Sequence, residues 1–72
     1  MISKSKAVDL AVTYSAFQDA LTEFCRNQCA DTAQSLLVWA GMLDALQDAL
    51  QVIVADKQQL LNALNLADKF AQ

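Results

Sequence analysis

Cys25 and Cys29, four residues apart, carry the most reactive side chains in this sequence. On a helix that spacing places both thiols on neighbouring turns of one face, and four thiolates from two chains could hold a zinc ion. One chain cannot close such a site, because it has no His and no second cysteine pair. An intermolecular disulfide would require an oxidising compartment, to which nothing else in the sequence points. Small buried thiols near a helix end are the plainer expectation, and neither a metal nor a cofactor is expected.

Nucleophilic chemistry is no better provided for. Ser15, Ser35, Tyr14 and the cysteines have no imidazole to activate them. Asp44 and Asp48 stand one helical turn apart, but on what should be a solvated stripe rather than in a cleft. Tyr14, Phe17, Phe24, Trp39 and Phe70 recur at helical spacing and read as core rather than as a stacking surface. The chain is therefore expected not to be an enzyme, with no catalytic residue and no small-molecule substrate.

Charge narrows the partners. The net charge is −3, and its placement matters more than its size. Lys4, Lys6 and Arg26 balance Asp9, Asp19 and Glu23, while Lys57 and Lys69 balance Asp56 and Asp68; the excess is Asp31, Asp44 and Asp48, with no basic residue among them. Nucleic-acid binding needs a basic face to neutralise phosphates, so none is expected. Three carboxylates are also too sparse to imitate DNA.

The elements that must position these residues are helices. Leu36, Trp39, Leu43, Leu46, Leu50 and Ile53, then Leu60, Leu64 and Ala67, form a ladder in steps of three and four. Between Leu36 and Ala55 the polar side chains are only Asp44, Gln47, Asp48 and Gln51, one narrow stripe. Upstream, Ala7, Leu10, Tyr14, Phe17, Leu21 and Phe24 repeat the spacing with polar residues largely opposite, which predicts an amphipathic first helix over about 4–27. Asp31 as N-cap with Gln34 three residues on reads as a capping box opening a second helix. Phase continues through Lys57, so that helix is predicted to run over about 32–70. It would be roughly 58 Å long against about 37 Å for the first. The alternative is a break near 55–57, with Asp56 capping a third helix and Gln59 completing its box.

The expected fold is thus a single all-α domain over 1–72, an antiparallel helical hairpin with a long second helix or, alternatively, a short three-helix bundle broken near Asp56. Hydrophobic residues make up 56% of 72 residues, which is rich for so short a chain. Even so, no membrane span is expected, because the most apolar stretch carries Asp44 and Asp48 near its middle. Lys4 and Lys6 resemble a basic leader, but Asp9 interrupts the apolar run and no small-residue cleavage site follows. A cytoplasmic location is expected.

Surplus apolar surface points to a protein partner. Met42, Ala45, Ala49 and Val52 make a second seam beside the ladder, and its alanines would let another helix approach closely. If the second helix overhangs the first, Leu60, Leu61, Leu64 and Phe70 need cover as well. These eight residues are the expected partner-binding set.

Trp39, Ala40 and Gly41 spell a W-x-G that looks like the turn signature of the small secreted WxG helical hairpins. Here the triplet is embedded in Leu36 to Leu46, where a helix should continue, and no tyrosine-based export signal follows near Gln72. In size, helix pattern, acidity and surplus apolar surface the whole chain resembles the small acidic co-chaperones of type III secretion systems, helical hairpins that hold an aggregation-prone needle subunit. That resemblance rests on no diagnostic residue and transfers none. It implies a bacterial chaperone or adaptor that shields an apolar helix of its partner; the competing expectation is a self-assembling structural or regulatory homo-oligomer, such as a phage-encoded one.

Overall fold

Ser3 begins the first helix: its side chain accepts a hydrogen bond from the Lys6 amide at 3.2 Å, which satisfies one of the donors that a helix start leaves open. The computed structural model describes residues 3–71, and among them are three α-helices and no strand. Met1, Ile2 and Gln72, the ends of the expected 1–72 domain, lie outside the described residues. The helices are α1 (Lys4–Arg26), α2 (Ala30–Leu50) and α3 (Lys57–Ala71).

The turn between α1 and α2 is tighter than the sequence suggested. Asn27 caps α1 by donating its amide to the Glu23 carbonyl at 2.9 Å. The N-cap of α2 is Cys29, not Asp31. Thr32, at the third helical position, accepts from the Cys29 amide at 3.3 Å and donates its hydroxyl to the Asn27 carbonyl. A threonine hydroxyl can do both, whereas an ionised aspartate only accepts. Asp31 sits one residue before Thr32, inside the first turn, where its charge faces the positive end of the helix.

The continuous second helix expected over 32–70 is corrected: α2 stops at Leu50 and α3 starts at Lys57. Gln51 takes a left-handed backbone (φ 56, ψ 40) and donates its amide back to the Asp48 and Gln47 carbonyls. Val52, Ile53 and Val54 follow, a β-branched run that a helix disfavours. Gln47 then holds the connection. Its side-chain oxygen accepts from the amides of Val54 at 2.8 Å and Ala55 at 2.7 Å, and it is buried rather than part of a solvated stripe. Asp56 does cap α3, though its carboxylate takes the Gln58 amide at 2.9 Å and the box with Gln59 is not used. The phase across Lys57 survives the turn because α2 and α3 present their stripes to one shared core, while Ile53, read as part of the ladder, is 79% exposed.

α2 packs against both α1 and α3, which touch each other less. The core is built from Leu10, Phe17, Ala20 and Phe24 of α1, Ala33, Leu36, Ala40 and Leu43 of α2, Ala55 of the connection, and Leu60, Ala63 and Ala67 of α3. Phe24 and Phe70 meet edge to face at 5.3 Å and join the far ends of α1 and α3. A Lys57 ammonium spans to Asp44 at 2.6 Å and Asp48 at 3.2 Å, pinning the start of α3 to α2. Those two carboxylates, expected on a solvated stripe, thus serve the α2–α3 contact.

Candidate functional site

The residues with chemical potential are placed apart. Cys25 is exposed at the end of α1, and Cys29 is half-buried at the head of α2. Hydrogen bonds from Thr32, first through its backbone and then its side chain, hold the Cys29 thiol below its usual range. The Tyr14 hydroxyl accepts from Gln18 at 2.7 Å, and Ser15 and Ser35 are exposed. Asp44 and Asp48 are engaged with Lys57, whose ammonium is held above the usual lysine range by hydrogen bonds to Asp44 first and Asp48 second. Among the described residues, no three metal-capable side chains gather at one place.

What the three helices do build is a surface. On α2, Thr32, Ser35, Trp39, Met42, Leu46 and Ala49 follow in steps of three and four, so they form one row. On α1, Thr13, Ala16, Ala20 and Glu23 do the same. These two rows line an open groove in two stretches. One holds Thr13, Met42, Ala45, Leu46 and Ala49, about 370 Å³ with walls that are almost wholly apolar. The other, of about 420 Å³ near the α1–α2 turn, gathers Asp19, Glu23 and Asp31 around Ser35 and the half-buried Trp39. Met42 in the wall is 51% exposed and Val38 beside it 55%, and Val8 and Val12 continue the α1 row that leads to Ala16.

The eight residues expected to bind a partner fall into two groups. Met42, Ala45, Ala49 and Leu61 are exposed. Leu60 is fully buried in the chain's own core, and Val52, Leu64 and Phe70 are partly buried against it. The reason is the break after Leu50. An overhanging helix would leave those side chains bare, whereas the turn folds them back onto α2 and onto Phe24.

Sequence reasoning missed the acidic stretch of the groove, because Asp19 and Glu23 belong to one helix and Asp31 to the next. Helical phase alone could have grouped Thr32, Ser35 and Trp39 with Met42 and Ala49. The side chains from α1 were not recoverable without the pairing of the two helices. Among the described residues no helix is long and apolar enough to cross a membrane. No protein-family model matches the chain, and no curated protein or solved structure matches it either.

Proposed function

We propose that this chain is a non-enzymatic helical interaction module, a small bacterial chaperone or adaptor of secretion type that shields an apolar helix of its partner in the α1–α2 groove. The observation that carries this reading is the exposed face Val38, Met42, Ala45 and Ala49 beside a groove with apolar walls. Gly41 adds to it. A glycine inside a helix costs about 1 kcal/mol relative to alanine, yet a Cβ placed here would meet nothing within 4 Å. Packing inside the chain does not require that glycine, and its backbone is open to close approach from outside.

A second copy of the chain is the competing occupant. Gly41, Ala45 and Ala49 recur every four residues, a spacing at which two helices can cross closely. Light scattering on the purified chain separates the two readings. A chaperone or adaptor is expected as a monomer or a loose aggregate that a coexpressed partner makes uniform, whereas self-assembly gives a closed dimer or tetramer alone.

Ala49→Glu tests the face itself. It should leave helix content by circular dichroism nearly unchanged while weakening association on the order of a hundredfold, since a carboxylate buried in a helix contact goes unpaired. Leu43→Glu strikes the buried core and should unfold the chain. If association survives Ala49→Glu intact, the groove face is not the contact and the proposal fails.

A further inference from the structure

The groove has a charge gradient, and the fold itself shows how such a gradient is used. α3 docks on the other side of α2 with Leu60, Ala63 and Ala67 turned inward and one cation, Lys57, set between Asp44 and Asp48. An apolar row plus a cation over paired carboxylates is therefore the way an amphipathic helix already binds α2 in this molecule. The open side has an apolar stretch and an acidic stretch of its own, with no occupant from this chain. Its apolar stretch centres on Met42, Leu46 and Ala49, and its acidic stretch on Asp19, Glu23 and Asp31. Glu23 has a partner in Arg26 at 3.3 Å, with both side chains well exposed; Asp19 and Asp31 have no ion-pair partner among the described residues. No Lys or Arg lines either stretch.

We infer that the occupant of the groove is an amphipathic helix of another protein whose apolar stripe covers Met42, Leu46 and Ala49 and which sets a Lys or Arg against the acidic stretch of Asp19, Glu23 and Asp31. The inference rests on the interaction reading above and adds the partner's chemistry and register. From Asp31 to Ala49 the groove runs about 27 Å at 1.5 Å per residue, so the bound segment is a helix of roughly eighteen residues with its cation near one end. Trp39, half-buried in the wall of the acidic stretch, lies where the cation's methylene stem would pass. Like charges disfavour a partner that brings acidic residues to the same end, so the gradient fixes the direction in which the helix lies.

A displayed library of amphipathic helices eighteen residues long, with a fixed three-four apolar stripe and random polar positions, supplies the probe. Selection on the full chain should enrich Lys or Arg at one end of the helix. The binders should quench or shift Trp39 fluorescence and weaken as salt is raised. Against the double variant Asp19→Asn, Asp31→Asn the same binders should lose roughly tenfold in affinity and most of their salt dependence. Binders that lack a basic bias yet are abolished by Ala49→Glu would overturn this inference and leave the interaction reading standing. Binders indifferent to Ala49→Glu, or no binders at all, would overturn both. A closed dimer of the chain that buries the groove would overturn the inference in favour of a second copy.

Discussion

Gln47 is the residue whose role differs most from its type. A glutamine in a helix with few polar residues invites a solvent-facing assignment, yet here one buried carbonyl oxygen receives two amides of the connection to α3. Gln47→Leu fills the space and removes the acceptor, leaving the Val54 and Ala55 donors to find water or go without. We expect a loss of about 2 to 3 kcal/mol in urea unfolding, with faster hydrogen exchange at Val54 and Ala55. A silent substitution would mean that the amides are solvated without it. The α1–α2 turn makes a comparable point. Thr32→Val removes the hydroxyl's contacts to the Cys29 amide, thiol and carbonyl and to the Asn27 carbonyl and should cost about 1 kcal/mol, while Asp31→Ala loses only a favourable charge at the helix start, about 0.3 kcal/mol. Thermal melts of the two variants give the order, and a larger effect at Asp31 would restore it as the cap. Thr32→Val should also move the pH midpoint of Cys29 alkylation toward that of an ordinary thiol, because one of the bonds that depress it is gone.

At the level of the element, the helical stretches were legible, but the break that separates α3 from α2 was read only as the alternative, and α2 starts at Ala30 rather than at 32. The apolar spacing of Leu10, Phe17 and Phe24, and of Leu36 and Leu43, identifies which faces are buried, and all five side chains are. The end of α2 was hidden because the usual marks are absent: the chain has no Pro, and the left-handed position is filled by Gln51 rather than Gly. The run Val52, Ile53, Val54 was the available signal, a propensity effect masked by an apolar ladder that stayed in phase. Gln51→Gly should therefore stabilise the fold by about 1 kcal/mol, since glycine adopts φ 56 without the steric cost borne by a side chain. If it destabilises instead, Gln51 makes contacts that outweigh its strain. The start of α3 has its own signature in pH. Lys57 has its folded-state pKa raised by Asp44 and Asp48, so the stabilisation is complete below the unfolded lysine value and is lost as pH rises through the folded one. The melting temperature should fall across that alkaline window in the wild type, and Lys57→Met should remove this part of the fall. An equal slope in both would assign it elsewhere.

On the scale of the whole molecule, the fold is a thin one, 39 × 18 × 16 Å, in which α2 is wrapped on two sides and left open on a third. A chain of this length has about 4 to 11 kcal/mol of stability to lose, so few side chains can be decisive. Phe24 is one of them: it is fully buried and, through Phe70, ties α1 to α3, the pair that otherwise touches least. Trp39 is the larger ring, and from sequence alone the obvious core anchor, but it is only half-buried in the groove wall. Burial and not size should then set the ranking. Phe24→Ala is expected to cost about 3 to 5 kcal/mol and to leave a molten chain with broad, weakly cooperative urea unfolding. Trp39→Ala should cost clearly less and keep a sharp transition, because the ring is only partly buried against the core. The opposite order would place Trp39 in the centre of the core and close the groove on which the interaction reading depends.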